Sequence, residues 1–273
     1  MSFDTLGPGG LDYLPCRYGA SKILFRGPKR PLDQPYVAFF GGTTTYGKFV
    51  ETPFPELVEQ DLGLTCVNFG CVNGGIDAYA SDPVLREAAI KARVTVIQVT
   101  SPRNMSNRFY KVHPRRNDRF IEASALLRTI YREVDFAEFN FANHLLQRLR
   151  LVSPDRFHAV LDELRTAWLA RMRLVLSQIP GKTILLWASD TAPSDVALDL
   201  EADPAFVTHS MISEIEPLVT KYVKVVASDA AQTAGTDGMV FAEMDGPAAA
   251  QMLGPIAHRE IADALVPALQ GLT

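Results

Sequence analysis

Five short, almost unbroken apolar runs punctuate the chain, at residues 37–40 (VAFF), 65–69 (TCVNF), 94–99 (VTVIQV), 183–187 (TILLW) and 222–227 (YVKVVA). Such runs predict strands covered on both faces, the pattern of a parallel sheet held between helical layers. Between and after them the apolar spacing changes to three and four, which predicts helices over 56–62, 84–92 and, before Pro267, 260–266. Ser81-Asp82-Pro83 supplies a cap residue and a first-turn proline for the second of these. Strand and helix alternate, so the expected fold is α/β, a three-layer doubly wound sheet of about five parallel strands.

More than 80 residues separate the third and fourth runs, where a crossover needs only about a dozen. Helical patterns at 118–131, at 136–150 and after Ser153-Pro154 fill the interval. In the last, Phe157, Val160, Leu161, Leu164, Trp168, Met172 and Val175 form a stripe that reads as core packing rather than a cofactor box. That helix supplies the crossover, and the rest is read as a helical insertion between strands 3 and 4, over the carboxyl edge of the sheet. The chain is therefore expected to be one domain, 1–273. It comprises an irregular arm (1–35, with Pro8, Pro15, Pro28, Pro31 and Pro35), an α/β core (36–104 and 155–273) and the insertion (105–154).

Composition narrows the picture a little. The 273 residues are 47% hydrophobic and 21% charged, which excludes a disordered or collagen-like chain. A formal net charge of −4 provides no overall basic field for nucleic acid or membrane surfaces, so neither partner is expected. No apolar run approaches the ~20 residues that span a bilayer. The opening MSFDTLGPGG has neither a basic start nor an apolar stretch, so no signal peptide is expected. Three cysteines show no zinc or redox spacing, and Cys66 and Cys71, in an extended segment, would lie about 16 Å apart at strand rise. A reducing, cytoplasmic setting is expected, with no metal and no cofactor. A homo-oligomer is compatible with the sequence.

Candidate chemistry sits where ligands bind in open α/β sheets, beyond the carboxyl ends of the strands. After the first run comes Gly41-Gly42-Thr43-Thr44-Thr45-Tyr46-Gly47, a tight turn that puts hydroxyls at a helix start. It can present a nucleophile or bind an anion through backbone N–H groups; it also reads as a simple threonine-capped helix. After the second run, Gly70, Asn73 and Gly74 can bring N–H groups to a ligand as an oxyanion hole requires, or serve as a turn with positive φ. The third loop, RNMSNRFYKVHPRRNDR, carries Arg103, Arg108, Lys111, Arg115, Arg116 and Arg119 against the single acid Asp118. These cations either bind an anionic ligand or pair with acids such as Glu122, Glu133, Asp135, Glu138 and Glu163. His113, inside this segment, is a better acid/base candidate than His144, His158 or His209.

The order of these loops resembles the SGNH (GDSL-like) hydrolase superfamily. VAFFGGTTTYG is similar to the block in which a first strand ends at the nucleophilic serine, and Asn68-Phe69-Gly70 to the second block. Asn104 stands near the third-block asparagine, and Asp245-Gly246 before Ile261-Ala262-Asp263-Ala264-Leu265 is similar to the last block. The resemblance implies a flavodoxin-like or SGNH-like sheet, Thr43 as nucleophile, and donors drawn from Gly42, Thr44, Gly70, Asn73, Gly74 and Asn104. Arg103, Arg108, His113 and Arg115 would hold the substrate. Two departures bear on chemistry. Threonine replaces serine at position 43, and Ala248 stands three residues after Asp245, where the family places histidine. His258 is the nearest replacement, completing a candidate set of Thr43, Asp245 and His258. Three readings follow: a hydrolase or acyl/group transferase acting on an anionic or carbohydrate-linked ester, a catalytically silent protein binding an anionic small molecule or glycan, and a protein-interaction scaffold.

Overall fold

The computed structural model describes residues 9–273. The strands are β1 (Tyr36–Gly41), β2 (Thr65–Gly70), β3 (Val94–Gln98), β4 (Tyr110–His113), β5 (Arg116–Ala123), β6 (Lys182–Ser189) and β7 (Lys221–Val226). The helices are α1 (Thr43–Tyr46), α2 (Phe54–Leu62), α3 (Asp77–Ala80), α4 (Pro83–Lys91), α5 (Ala125–Ile130), α6 (Ala142–Val152), α7 (Pro154–Ser177), α8 (His209–Ile215), α9 (Asp229–Ala234), α10 (Gly246–Ala249) and α11 (Pro255–Gln270). Each of the five apolar runs is a strand of one parallel sheet, in the order β2-β1-β3-β6-β7. The α/β doubly wound expectation holds.

Alternation within the strands sets the layers, because successive side chains leave a strand on opposite faces. Val37 and Phe39 pack with Phe54 and Val58 of α2 and Ile261 and Leu265 of α11. Ala38 and Phe40 pack on the other side with Leu85 of α4 and Trp168 and Met172 of α7. The α7 stripe is core packing, but it serves two cores. Phe157, Val160, Leu161 and Leu164 enter a second cluster with Tyr110, Leu127 and Leu145, whereas Trp168, Met172 and Val175 lie beneath the sheet. One helix of 24 residues thus ties the insertion to the sheet.

Four local expectations are corrected. The interval between β3 and β6 contains a β-hairpin, β4–β5, as well as helices. Residues 118–131, predicted helical, run as strand to Ala123 and turn helical only over α5. Register shifts on both sides of Val112 disturb the strand period, so the buried positions of β5 fall at Asn117, Phe120 and Ala123. That spacing of three imitates one face of a helix. Residues 136–150 break into a 3₁₀ turn, Phe136–Glu138, and α6, because Asn140 and Phe141 are drawn alongside β5. Finally, α11 runs on through Pro267 instead of stopping before it.

The described part of the arm is held against the sheet. Tyr18 and Phe25 pack on Phe69 with ring centroids 5.0 and 5.4 Å away. The buried Arg26 guanidinium donates to the carbonyls of Gly47 (2.6 Å) and Glu51 (2.5 Å), fastening the turn that follows α1. The leader reading of the first eight residues, and Pro8, lie outside the described residues. Among the described residues no helix is long and apolar enough to cross a membrane.

Candidate functional site

The strand order reverses between β1 and β3, and at such a switch point the loops diverge and leave a crevice at the carboxyl edge. Thr43 opens α1 on one side of this crevice, and Gln98 ends β3 on the other. The crevice widens into a cleft. Its narrow end, about 80 Å³, is lined by residues including Thr43, Asn73, Gln98, Arg103 and Asn104. Its wider end, about 280 Å³, includes Thr44, Ser189, Asp190, Gln232 and Gln251. Glu201 and Asp203 line both parts.

Close packing of backbone builds the narrow end. A Cβ on Gly41 would stand 2.1 Å from the Thr45 hydroxyl, and one on Gly70 would stand 2.3 Å from the Tyr46 nitrogen. Only glycine lets α1 sit directly on the strand ends. Of Gly70, Asn73 and Gly74, Asn73 is the one hydrogen-bonded to Thr43. The Gly70 N–H is spent on Asn68 Oδ1 (2.9 Å) and the Gly74 N–H on the Cys71 carbonyl (2.9 Å). The Asn73 N–H instead donates to Thr43 Oγ1 at 2.9 Å. Asn73 has φ of 54°, a conformation that Asn tolerates better than most residues. Its side-chain oxygen accepts from the Thr43 hydroxyl (3.4 Å), its amide nitrogen donates to Asp118 (3.2 Å), and Asn104 Nδ2 donates to its carbonyl (3.3 Å).

Two N–H groups of this turn are already spent. Gly42 N (3.1 Å), Thr45 N (3.2 Å) and Thr45 Oγ1 (2.6 Å) all donate to Gln98 Oε1.

The histidine candidates stand elsewhere. His258 does not join Thr43: it is buried between α11 and α2, where its Nδ1 accepts from the Phe54 N–H at 3.0 Å. Burial, aided by the nearby Arg26 charge, pushes its pKa down to about 3, so it is neutral. The segment before α11 brings Gln251 and Met252 to the cleft instead. His113 Nδ1 accepts from the N–H groups of Arg115 and Arg116 (both 3.2 Å), capping the hairpin turn. Asp245 ends a 3₁₀ turn, Glu243–Asp245, and is not among the residues lining the cleft.

The basic segment likewise turns mostly to scaffolding. Arg108 pairs with Glu163 (2.9 Å), Lys111 pairs with Glu122 (2.7 Å), Arg119 lies over the Phe141 ring, and Arg115 reaches the Lys22 carbonyl (3.4 Å). Arg103 alone of the six lines the cleft, donating to the Leu200 carbonyl. Against it stand Asp190, Glu201 and Asp203, so the cleft is weighted toward negative charge. Asp203 is open to water within the cleft but crowded by protein atoms. That crowding raises its carboxyl above the usual range, against the opposing pull of Arg103 and with a smaller push from Asp190.

A family model described as a domain of unknown function matches residues 1–273. The chain belongs to the DUF6473 family. A comparison with curated proteins gives no match. Among solved structures, this DUF6473 chain is similar to the lipase Lip_vut3 from a goat rumen metagenome, with a TM-score of 0.48 and 13% identity over 86% of this chain and 97% of that one. It is also similar to a protein from Lactobacillus plantarum, with a TM-score of 0.40 and 13% identity over 88% of this chain and 98% of that one.

Gln98, Asp190, Glu201, Asp203 and Gln251 are among the cleft residues that sequence reasoning missed. The carboxyl-end rule that found Thr43 also points to Ser189-Asp190, at the end of β6. Glu201 and Asp203 lie in a long loop with no pattern to mark them.

Proposed function

We propose that this DUF6473 chain is a divergent SGNH-like enzyme, a hydrolase or acyl/group transferase acting on a carbohydrate-linked ester. Thr43 supplies the reacting hydroxyl. The donors for the developing oxyanion are the Asn73 N–H, released from Thr43 Oγ1 as that oxygen bonds to carbon, and the second N–H of the Asn104 amide, the first being held by the Asn73 carbonyl. The observation that carries the reading is the 2.9 Å contact between the Asn73 N–H and Thr43 Oγ1, made where three strand-end loops converge. In this chemistry the Thr43 oxygen bonds to the carbonyl carbon and charge collects on the carbonyl oxygen. Collapse expels the sugar oxygen with the proton returned by the base, and water or an acceptor hydroxyl then takes the acyl group from Thr43. The hydroxyl proton needs an acceptor other than His258. Asp203 lines the same end of the cleft and is the carboxylate assigned to take that proton. Asp190, Glu201 and Asp203 favour a neutral, hydroxyl-bearing substrate over an anionic one.

Turnover of 4-nitrophenyl acetate and of an acetylated sugar by wild type, Thr43→Ala and Asp203→Asn tests the reading. Loss of activity by at least about 100-fold in both variants is expected; equal rates in wild type and Thr43→Ala would overturn it. A catalytically silent glycan-binding cleft is the second reading, favoured by the burial of His258. Its signature is sugar binding in wild type and Thr43→Ala without turnover in either.

A further inference from the structure

Gln98 is 3% exposed and lines the narrow end of the cleft beside Thr43 and Asn73. Its side-chain oxygen is fully employed. Three donors from the Gly42–Thr45 turn converge on it at 2.6–3.2 Å, which fixes which way the amide faces. The nitrogen Nε2 must then point away from that turn. Among the described residues it makes no hydrogen bond to the protein. Although the residue is almost wholly buried, this nitrogen is not one of the sealed, unpartnered polar atoms of the core, so its two N–H groups keep access to open space. Here the open space next to it is the cleft itself.

We propose that Gln98 Nε2 is a substrate-binding donor, taking a carbonyl or hydroxyl oxygen of the ester beside the Asn73 N–H. The inference rests on the proposed function for the same site and adds a residue that its chemistry did not include. One amide then serves two purposes. Its oxygen holds the turn that carries Thr43, and its nitrogen meets the substrate.

Gln98→Glu separates the two. It keeps an oxygen for Gly42 N, Thr45 N and Thr45 Oγ1 but replaces the outward donor with an acceptor. In the 4-nitrophenyl acetate assay, kcat/KM is expected to fall about 100-fold near neutral pH, the size of effect seen when one oxyanion donor is removed. The melting temperature should stay close to that of wild type. Activity should recover as the pH falls, because the introduced carboxyl, once protonated, regains a hydrogen to donate. A purely structural role would not produce that rescue. If Thr43→Ala abolishes turnover while Gln98→Glu matches wild type at every pH, the role of Gln98 is overturned and the enzyme reading stands.

If wild type and Thr43→Ala turn over equally, the enzyme reading falls, and binding decides the matter for Gln98. Titration of the full chain with acetamide, a carbonyl that is not turned over, should shift the Gln98 side-chain amide signals in a ¹⁵N–¹H spectrum. An unmoved Gln98 amide would overturn the inference.

Discussion

Asn73 does two jobs that depend on one backbone angle. With φ at 54° its N–H turns to Thr43, while its side chain bridges Thr43 and Asp118. Asn73→Gly keeps both the angle and the N–H, so ester turnover should stay within about tenfold of wild type. Asn73→Val forces a β-branched residue into the left-handed region, which costs about 1–2 kcal/mol in urea unfolding. It should also lose most of the activity. His258 gives a different test. Its pKa is about 3 folded against an ordinary 6.5, so the unfolded chain takes up a proton first as the pH drops. The neutral buried ring costs no stability above pH ~6.5, and stability then declines toward pH 3, with ~1–2 kcal/mol lost by pH 5.5. His258→Asn retains an acceptor for the Phe54 N–H. Melting curves at pH 5.5 and 7.5 should show the acid loss in wild type and a smaller one in the variant, with turnover intact in both. A stronger acid loss in the variant would contradict this.

At the scale of elements, the arm and the first turn form one mechanical unit. Arg26 ties the turn after α1 by two carbonyls and lies 5.4 Å from the Tyr13 ring centroid, and Tyr13 in turn accepts from the Phe49 N–H at 2.9 Å. Arg26→Ala removes two charge-assisted hydrogen bonds, leaving the Gly47 carbonyl only the Val50 N–H (3.2 Å), and should cost about 2–4 kcal/mol in urea unfolding. A loss below about 1 kcal/mol would mean the arm is a passive cover.

The apolar runs made the sheet legible because burial on both faces leaves a signal within four to six residues. The β4–β5 hairpin was illegible because its irregular pairing spaces buried residues by three, and α6 starts late because Asn140 and Phe141 pair across to β5. Thr43 and Asn73 could be read from glycine-rich turns at strand ends. Gln98 could not, since inside VTVIQV it looks like strand filler. Its partners lie 53 and 56 residues away. His258 misled for the converse reason: nearness in sequence to Asp245 says nothing about which face of the last helix it occupies.

For the whole molecule, the balance of charge matters more than its total. The formal net charge of −4 conceals a basic segment, and that segment is spent on tying the hairpin to α7 and the arm. The working edge is left with Asp190, Glu201 and Asp203 facing Arg103. A neutral acetyl ester should therefore be preferred to an anionic analogue of the same size. Asp190→Asn with Glu201→Gln should narrow that preference several-fold at low salt, with less effect at high salt, as kcat/KM ratios would show. An anionic ester turned over faster by wild type would reverse this assignment of charge.

All these effects converge on whether Thr43 becomes acylated. Mixing the protein with 4-nitrophenyl acetate, quenching in acid and weighing the peptide that contains Gly41-Gly42-Thr43 tests this directly. The account predicts the added mass of one acetyl group, located on Thr43 and missing from Thr43→Ala. Turnover without any acetyl group on that peptide, or with the group on another residue, would contradict it.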